Sequence, residues 1–361
     1  MRFIRRAPPA LKNNIISYAL VIFGYCAVVL VMSTSGLSAT VQGQLVPICA
    51  YIVMAVSLNL TVGVMGDLSL GHAGFMSVGA FSGAIACMSL ESAIPGGAAR
   101  LAVSMLIGAL FAGLAGVLVG IPVLRLRGDY LAIVTLAFGE IIKNIITCLY
   151  VGIDGRGLRF GFLTSIAEMG MGDGARVVVE GPLGIRGIPK LSTFTIGFIL
   201  VLITLFVVQN LTNSKAGRAI MALRDNRIAA ESVGIPVTKY KMMAFVTSAS
   251  LAGAAGTLFV MNFSTIVAAK FNFSMSILIL VFVVLGGLKN IWGPIIAAAL
   301  LTVLPELLRQ FNDYRMLIYA IILILVMLAT NSAALRGALS RIRGLLANAI
   351  PAAPGGKRGG V

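Results

Sequence analysis

Two polar stretches interrupt an otherwise apolar chain and hold most of the side chains with which it could do chemistry. In GDLSLGHAGFMSVGA, Gly66 to Ala80, Asp67, Ser69 and the only histidine, His72, lie between hydrophobic segments. A carboxylate, a hydroxyl and an imidazole so placed could relay protons, hold a polar solute, or bond to neighbouring helices. Glycines at 66, 71, 74 and 79 weaken a helix and admit another backbone. Irregular backbone at membrane depth persists only where protein or a water-filled cavity satisfies it, and a broken helix exposes N–H ends able to hold a carboxylate. The alternative is a glycine motif for helix packing, with Asp67 at the membrane interface and His72 as a hydrogen-bonded interior side chain.

The second stretch is KAGRAIMALRDNRIAAESVGI, Lys215 to Ile235, polar between two strongly apolar segments. Its signals predict two short helices joined by a bend. Asp225 or Asn226 can cap the second, which runs to about Val233, where Gly234 suits a left-handed C′ position and Pro236 forbids continuation. Ile228, Ala229 and Val233 share one side of it, and Arg227 and Glu231 lie four apart on another. Small residues such as Ala229 and Ala230 let another protein come close, which suits docking more than catalysis; an ordinary solvated loop is the other reading.

Glu140 and Lys143 stand three apart in an apolar run, hence on one helical face. A charge at the centre of a bilayer costs about 2.5 to 3.5 kcal/mol on insertion scales, so neither should face lipid; mutual pairing at a helix interface is the favoured reading, a role in the solute path the other. No phosphate-binding G-x-x-x-x-G-K-[ST] loop, H-E-x-x-H or G-x-S-x-G motif occurs. No catalytic residue, metal or cofactor is expected, and energy for uphill transport would come from a partner or an ion gradient.

These residues need apolar helices to position them. With 59% hydrophobic and 11% charged residues, the chain departs from soluble globular composition, about 25% charged, and reads as an all-α polytopic membrane protein. About ten spans, or eight, are expected between residues 15 and 330, among them Leu45 to Val64, Phe75 to Leu90 and Leu131 to Val151, with half-helices near Gly74, Gly286, Gly287 and Pro294. Under this threading one side collects 18 Lys and Arg against 9 on the other, placing both termini and a loop at 212–240 in the cytoplasm. The net charge of +16 is spread over many loops and implies no nucleic acid. Cys26, Cys49, Cys87 and Cys148 sit in apolar runs and imply no disulfide.

Residues 1–14 read as a basic cytoplasmic segment before a retained first span, and 331–361 as a basic, partly disordered tail. The glycine-rich stretch 152–191 reads as a loosely ordered outer cap, or as a surface that receives a partner. GGLKNIWGPIIAAAL, with Gly286, Leu288, Gly293 and Ala299, faintly echoes the first glycine stretch, as two repeats of a transporter would.

GDLSLGHAGFMSVGA, RLRGDYLAIVTLAFGEI, RDNRIAAESVGI and LGGLKNIWGP, in that order, resemble the LivM-type permease of branched-chain amino-acid ABC importers. The resemblance covers about Leu45 to Leu328. It implies a permease half of the bacterial inner membrane that works with a second related permease, two cytoplasmic ABC ATPases and an extracytoplasmic solute-binding protein. It also implies that Ala229, Ala230, Glu231 and Gly234, led in by Arg224, Asp225 and Asn226, dock on an ATPase, and that Asp67, Ser69, Gly71, His72 and Gly74 line the solute path. Family members often end R-P-x-G-L-like after the last span, whereas this chain reads ATNSAALRG from Ala329. An ABC permease for urea or amides, and an ion-coupled secondary transporter of small polar solutes, are the competing expectations; the latter expects more buried carboxylates than the sequence offers.

Overall fold

The computed structural model describes residues 9–34, 39–91, 93–126, 128–154, 157–162, 176–288, 290–308 and 314–331. The C-terminal tail from 332 and the first eight residues of the basic N-terminal segment lie outside them. Apolar runs become helices because, without water, only intrasegment bonds satisfy a spanning backbone. In order these are α1 (Pro9–Thr34), α2 (Ala39–Asn59), α3 (His72–Ser89), α4 (Gly97–Val123), α5 (Asp129–Thr147), α6 (Phe194–Asn213), α7 (Lys215–Asp225), α8 (Arg227–Ser232), α9 (Val237–Val260), α10 (Phe273–Gly286), α11 (Trp292–Leu307) and α12 (Arg315–Asn331). Among the described residues, six stretches are long and apolar enough to cross a membrane: Val41–Met65, Gly97–Val123, Asp129–Thr147, Phe194–Asn213, Val237–Val260 and Ala268–Gly286. Ser17–Met32 and Trp292–Leu307 are shorter apolar helices.

The chain divides after Val303. In the larger unit α3 is almost wholly buried, and it packs closely with α4 and α9. Several of the contacts are between backbones. A Cβ on Gly79 would overlap Gly253, and one on Gly253 would stand 2.6 Å from the Gly108 carbonyl oxygen. Thr257 Oγ1 donates to the Gly79 carbonyl at 2.9 Å. Small residues matter here because lipid offers no hydrophobic force between helices, so close van der Waals packing must hold them. The smaller unit, from Leu304, contains the apolar helix α12.

Two apolar runs depart from simple spans. The run read as Leu45 to Val64 begins earlier, and after Asn59 it widens into a π-turn, Leu60–Met65. The run read as Leu131 to Val151 leaves the helix at Thr147 and enters strand β1 (Leu149–Asp154). With β2 (Gly157–Phe162), β3 (Arg176–Glu180), β4 (Ile185–Arg186) and β5 (Thr265–Ile266) it forms an antiparallel sheet in the order β2-β1-β3-β4-β5. The expected loose cap is thus ordered over these strands. β-branched and aromatic residues such as Tyr150, Val151, Val178 and Val179 favour a pleated surface, and Val151, Val179, Ile185 and Ile266 are buried in it.

Because β5 follows α9 and β4 precedes α6, the sheet sits at one end of these two helices. α7 and α8, which connect them, sit at the other. The 20 residues of α6 span about 30 Å, the thickness of a hydrocarbon core.

Candidate functional site

The α7–α8 segment is held by side-chain caps. Ser214 Oγ accepts the Gly217 N–H at 3.1 Å, and Asn226 Oδ1 accepts the Ala229 N–H at 3.0 Å. Of the two residues able to cap α8, Asn226 does so, because the Asp225 carboxylate accepts Arg224 Nε and Nη2 at 3.0 and 2.9 Å. α8 ends at Ser232, and Gly234 has φ +84°, a left-handed conformation that suits glycine. Leu223, Ala230 and Val237 form a small buried core with Ile235 and Tyr240 against it.

The two adjacent alanines therefore part company: Ala230 faces in, Ala229 faces out. Ile228 and Val233 are 80% and 75% exposed, while Arg227 Nε bonds Glu231 Oε1 at 2.9 Å beside them. This outward face carries two bare aliphatic tips on a rigid mount. Arg224 points the other way, its Nη1 donating to the Gly63 carbonyl at 2.9 Å. No local sequence signal announces that bond, since its partners lie 161 residues apart.

The glycine segment joins the same region. Asp67 Oδ2 accepts Lys241 Nζ at 2.5 Å, with the lysine 7% exposed; this partner also escaped sequence reasoning. Ser69 is buried, and its Oγ has no partner among the described residues. Gly71 and Gly74 pack on α5: a Cβ on Gly71 would overlap the Thr135 carbonyl, and one on Gly74 would stand 2.8 Å from Gly139 Cα. His72 opens α3, 2% exposed, with Nε2 at 2.8 Å from Ser57 Oγ. Leu70 N–H donates to Thr135 Oγ1 and Ala73 N–H to Ser276 Oγ, at 3.0 and 3.1 Å, so these amides already have acceptors.

Glu140 and Lys143 pair as their spacing predicts. Glu140 Oε1 also accepts the Phe273 N–H at 3.2 Å, placing a carboxylate at the positive end of α10. Beside them α3, α5 and α10 leave a narrow gap, too tight to hold a water molecule, lined by Leu70, Gly74, Leu136, Glu140, Phe273 and Ser276. Among the described residues no three His, Cys, Asp or Glu side chains gather as metal ligands.

The second glycine stretch makes a tight turn between α10 and α11, where a Cβ on Gly293 would overlap the Gly286 carbonyl. It meets the turn just before the first stretch. Asn59 Nδ2 donates to the Asn290 carbonyl at 3.0 Å, and a Cβ on Gly63 would overlap the Leu288 carbonyl.

Residues 40–327 match the family described as branched-chain amino acid transport system / permease component. The high-affinity branched-chain amino acid transport system permease protein LivM of Salmonella typhimurium is 36% identical over 293 residues, 77% of this chain and 66% of that protein. LivM of Escherichia coli gives the same figures. The fructose import permease protein FruG of Bifidobacterium longum is 25% identical over 72% of each chain. The match to the two LivM proteins thus spans just under two thirds of their length. No solved structure gives a significant match.

Proposed function

Since the chain belongs to the branched-chain amino acid transport permease family, we propose that it is the permease subunit of an ATP-driven importer for branched-chain or related amino acids, forming half of the solute path. It works in the bacterial inner membrane with a second related permease, two ABC ATPases and an extracytoplasmic binding protein. ATP is hydrolysed by the partners and no bond chemistry occurs here. The 212–240 segment and both termini are cytoplasmic, and the sheet faces the binding protein.

One observation carries the coupling role: α8 offers Ile228 and Val233 to the outside while its own core is filled by Leu223, Ala230 and Val237. A capped helix so rooted can be pushed as a unit, and exposed aliphatic tips give a groove something to grip. Asn226 sets the start of α8 and Glu231 braces Arg227, while Gly234 turns the chain back toward α9. Arg224 completes the segment on its inner side, with the exposed Asp225 carboxylate accepting from its guanidinium. Asp67, Ser69, Gly71, His72 and Gly74 line the solute path, and Glu140 with Lys143 borders it beside α10. Alternating access needs only rigid-body movement of such elements.

Replacing Ile228 and Val233 together by Ser tests the docking. These exposed positions leave the fold intact, so the variant should insert and keep its thermal stability within about 0.5 kcal/mol. ATPase co-purification and ATP-driven uptake should both collapse. Normal co-purification with normal uptake would remove α8 as the docking element.

A further inference from the structure

The turn that ends α2 lacks a main-chain bond, and a side chain from α7 supplies it. In a continuous α-helix the Asp67 N–H would donate to the Gly63 carbonyl, four residues back. Here Gly66 and Asp67 both donate to the Thr61 carbonyl, the latter at 3.2 Å. The Gly63 carbonyl receives Arg224 Nη1 instead. Gly66, at φ +81°, makes room for the arginine stem, because a Cβ there would overlap Arg224 Cγ. Nearby, Asn59 Oδ1 is buried without a partner among the described residues, an arrangement that costs free energy until a donor is provided.

We propose that Arg224 is a positioning residue that carries the displacement of α8 into this π-turn, and that the turn switches between two windings. With the guanidinium on Gly63 the π winding holds. When α7 and α8 are drawn away, the Gly63 carbonyl takes the Asp67 N–H, the turn rewinds as α-helix, and the segment after it rotates by about 100°, one residue's worth of helix. That rotation also pulls Asp67 from Lys241, so the tie to α9 yields with the tie to α7. Asn59, bonded to Asn290, passes the change to the turn between α10 and α11. The inference rests on the docking of α8 to an ATPase.

The test uses the whole complex in nanodiscs, with Cys26 and Cys148 replaced and spin labels at Leu68, Ser232 and Arg186. Pulsed electron resonance reads the Ser232 to Arg186 and Leu68 to Arg186 distances without nucleotide and with trapped ATP. In the native complex both should change. In Arg224→Ala the ATPases should remain bound and the Ser232 distance should still change, while the Leu68 change disappears. Uptake per ATP hydrolysed should fall about tenfold, the scale of one lost charge-assisted hydrogen bond. Arg224→Lys, which keeps one donor, should recover part of it. A native Leu68 response with native uptake per ATP in Arg224→Ala would overturn the inference. So would loss of the ATPases from that variant, because Arg224 would then serve docking itself. A Ser232 distance unresponsive to nucleotide in the native complex would instead overturn the docking reading.

Discussion

At the α7–α8 end of α6 and α9 the ion pairs are short, and one of them is mostly shielded from water; at the sheet end the ion pairs are longer. Lys241 meets Asp67 at 2.5 Å and Arg224 meets Gly63 at 2.9 Å, with the lysine 7% exposed. On the sheet side Arg186 meets Glu180 and Arg176 meets Glu91 at 3.5 Å each, both arginine side chains more than half exposed. Charge pairs shielded from water hold geometry, whereas exposed pairs contribute little and exchange easily. One end is tied by close polar contacts between distant segments; the other is held mainly by its strand pairing and the apolar residues behind it.

Substitutions at the two ends sharpen that contrast. Asp67→Asn should have the largest effect, about 3 to 5 kcal/mol, because it strands a buried ammonium. Thermal unfolding in detergent would read it, and a double change to Asp67→Leu with Lys241→Met should recover most of the loss. An equally damaged double variant would mean that the pair's charge was never the issue. Asn226→Ala should cost about 1 kcal/mol, confined to α8, seen as faster hydrogen exchange at Ala229 to Ser232 with α9 unchanged. Smallest is Arg186→Gln, expected within about 0.5 kcal/mol of the native protein by the same unfolding measurement. A loss above about 1 kcal/mol there would break the comparison, since the sheet end would then depend on its surface charges as well.

Elements governed by neighbours in sequence were readable in advance. The α8 cap came from a short polar side chain before an apolar pattern, the left-handed turn from Gly234, and the Glu140 to Lys143 pair from helical spacing. The sheet was not readable, because β4 and β5 are two residues each and their partners come from segments almost eighty residues apart. The π-turn was hidden for a different reason. Leu60–Met65 is as apolar as the helix before it, so nothing in its composition marks the change of winding. Asp67 and His72 were found by type, but Lys241 and Ser57, which occupy them, were visible only once the chain had folded.

The meeting of α3, α4 and α9 at Gly79, Gly108 and Gly253 has a spatial consequence. Where main chains touch, no lumen remains between them, and even a water molecule would have to part the seam. Nothing can pass through the molecule at that level without first prising those three helices apart.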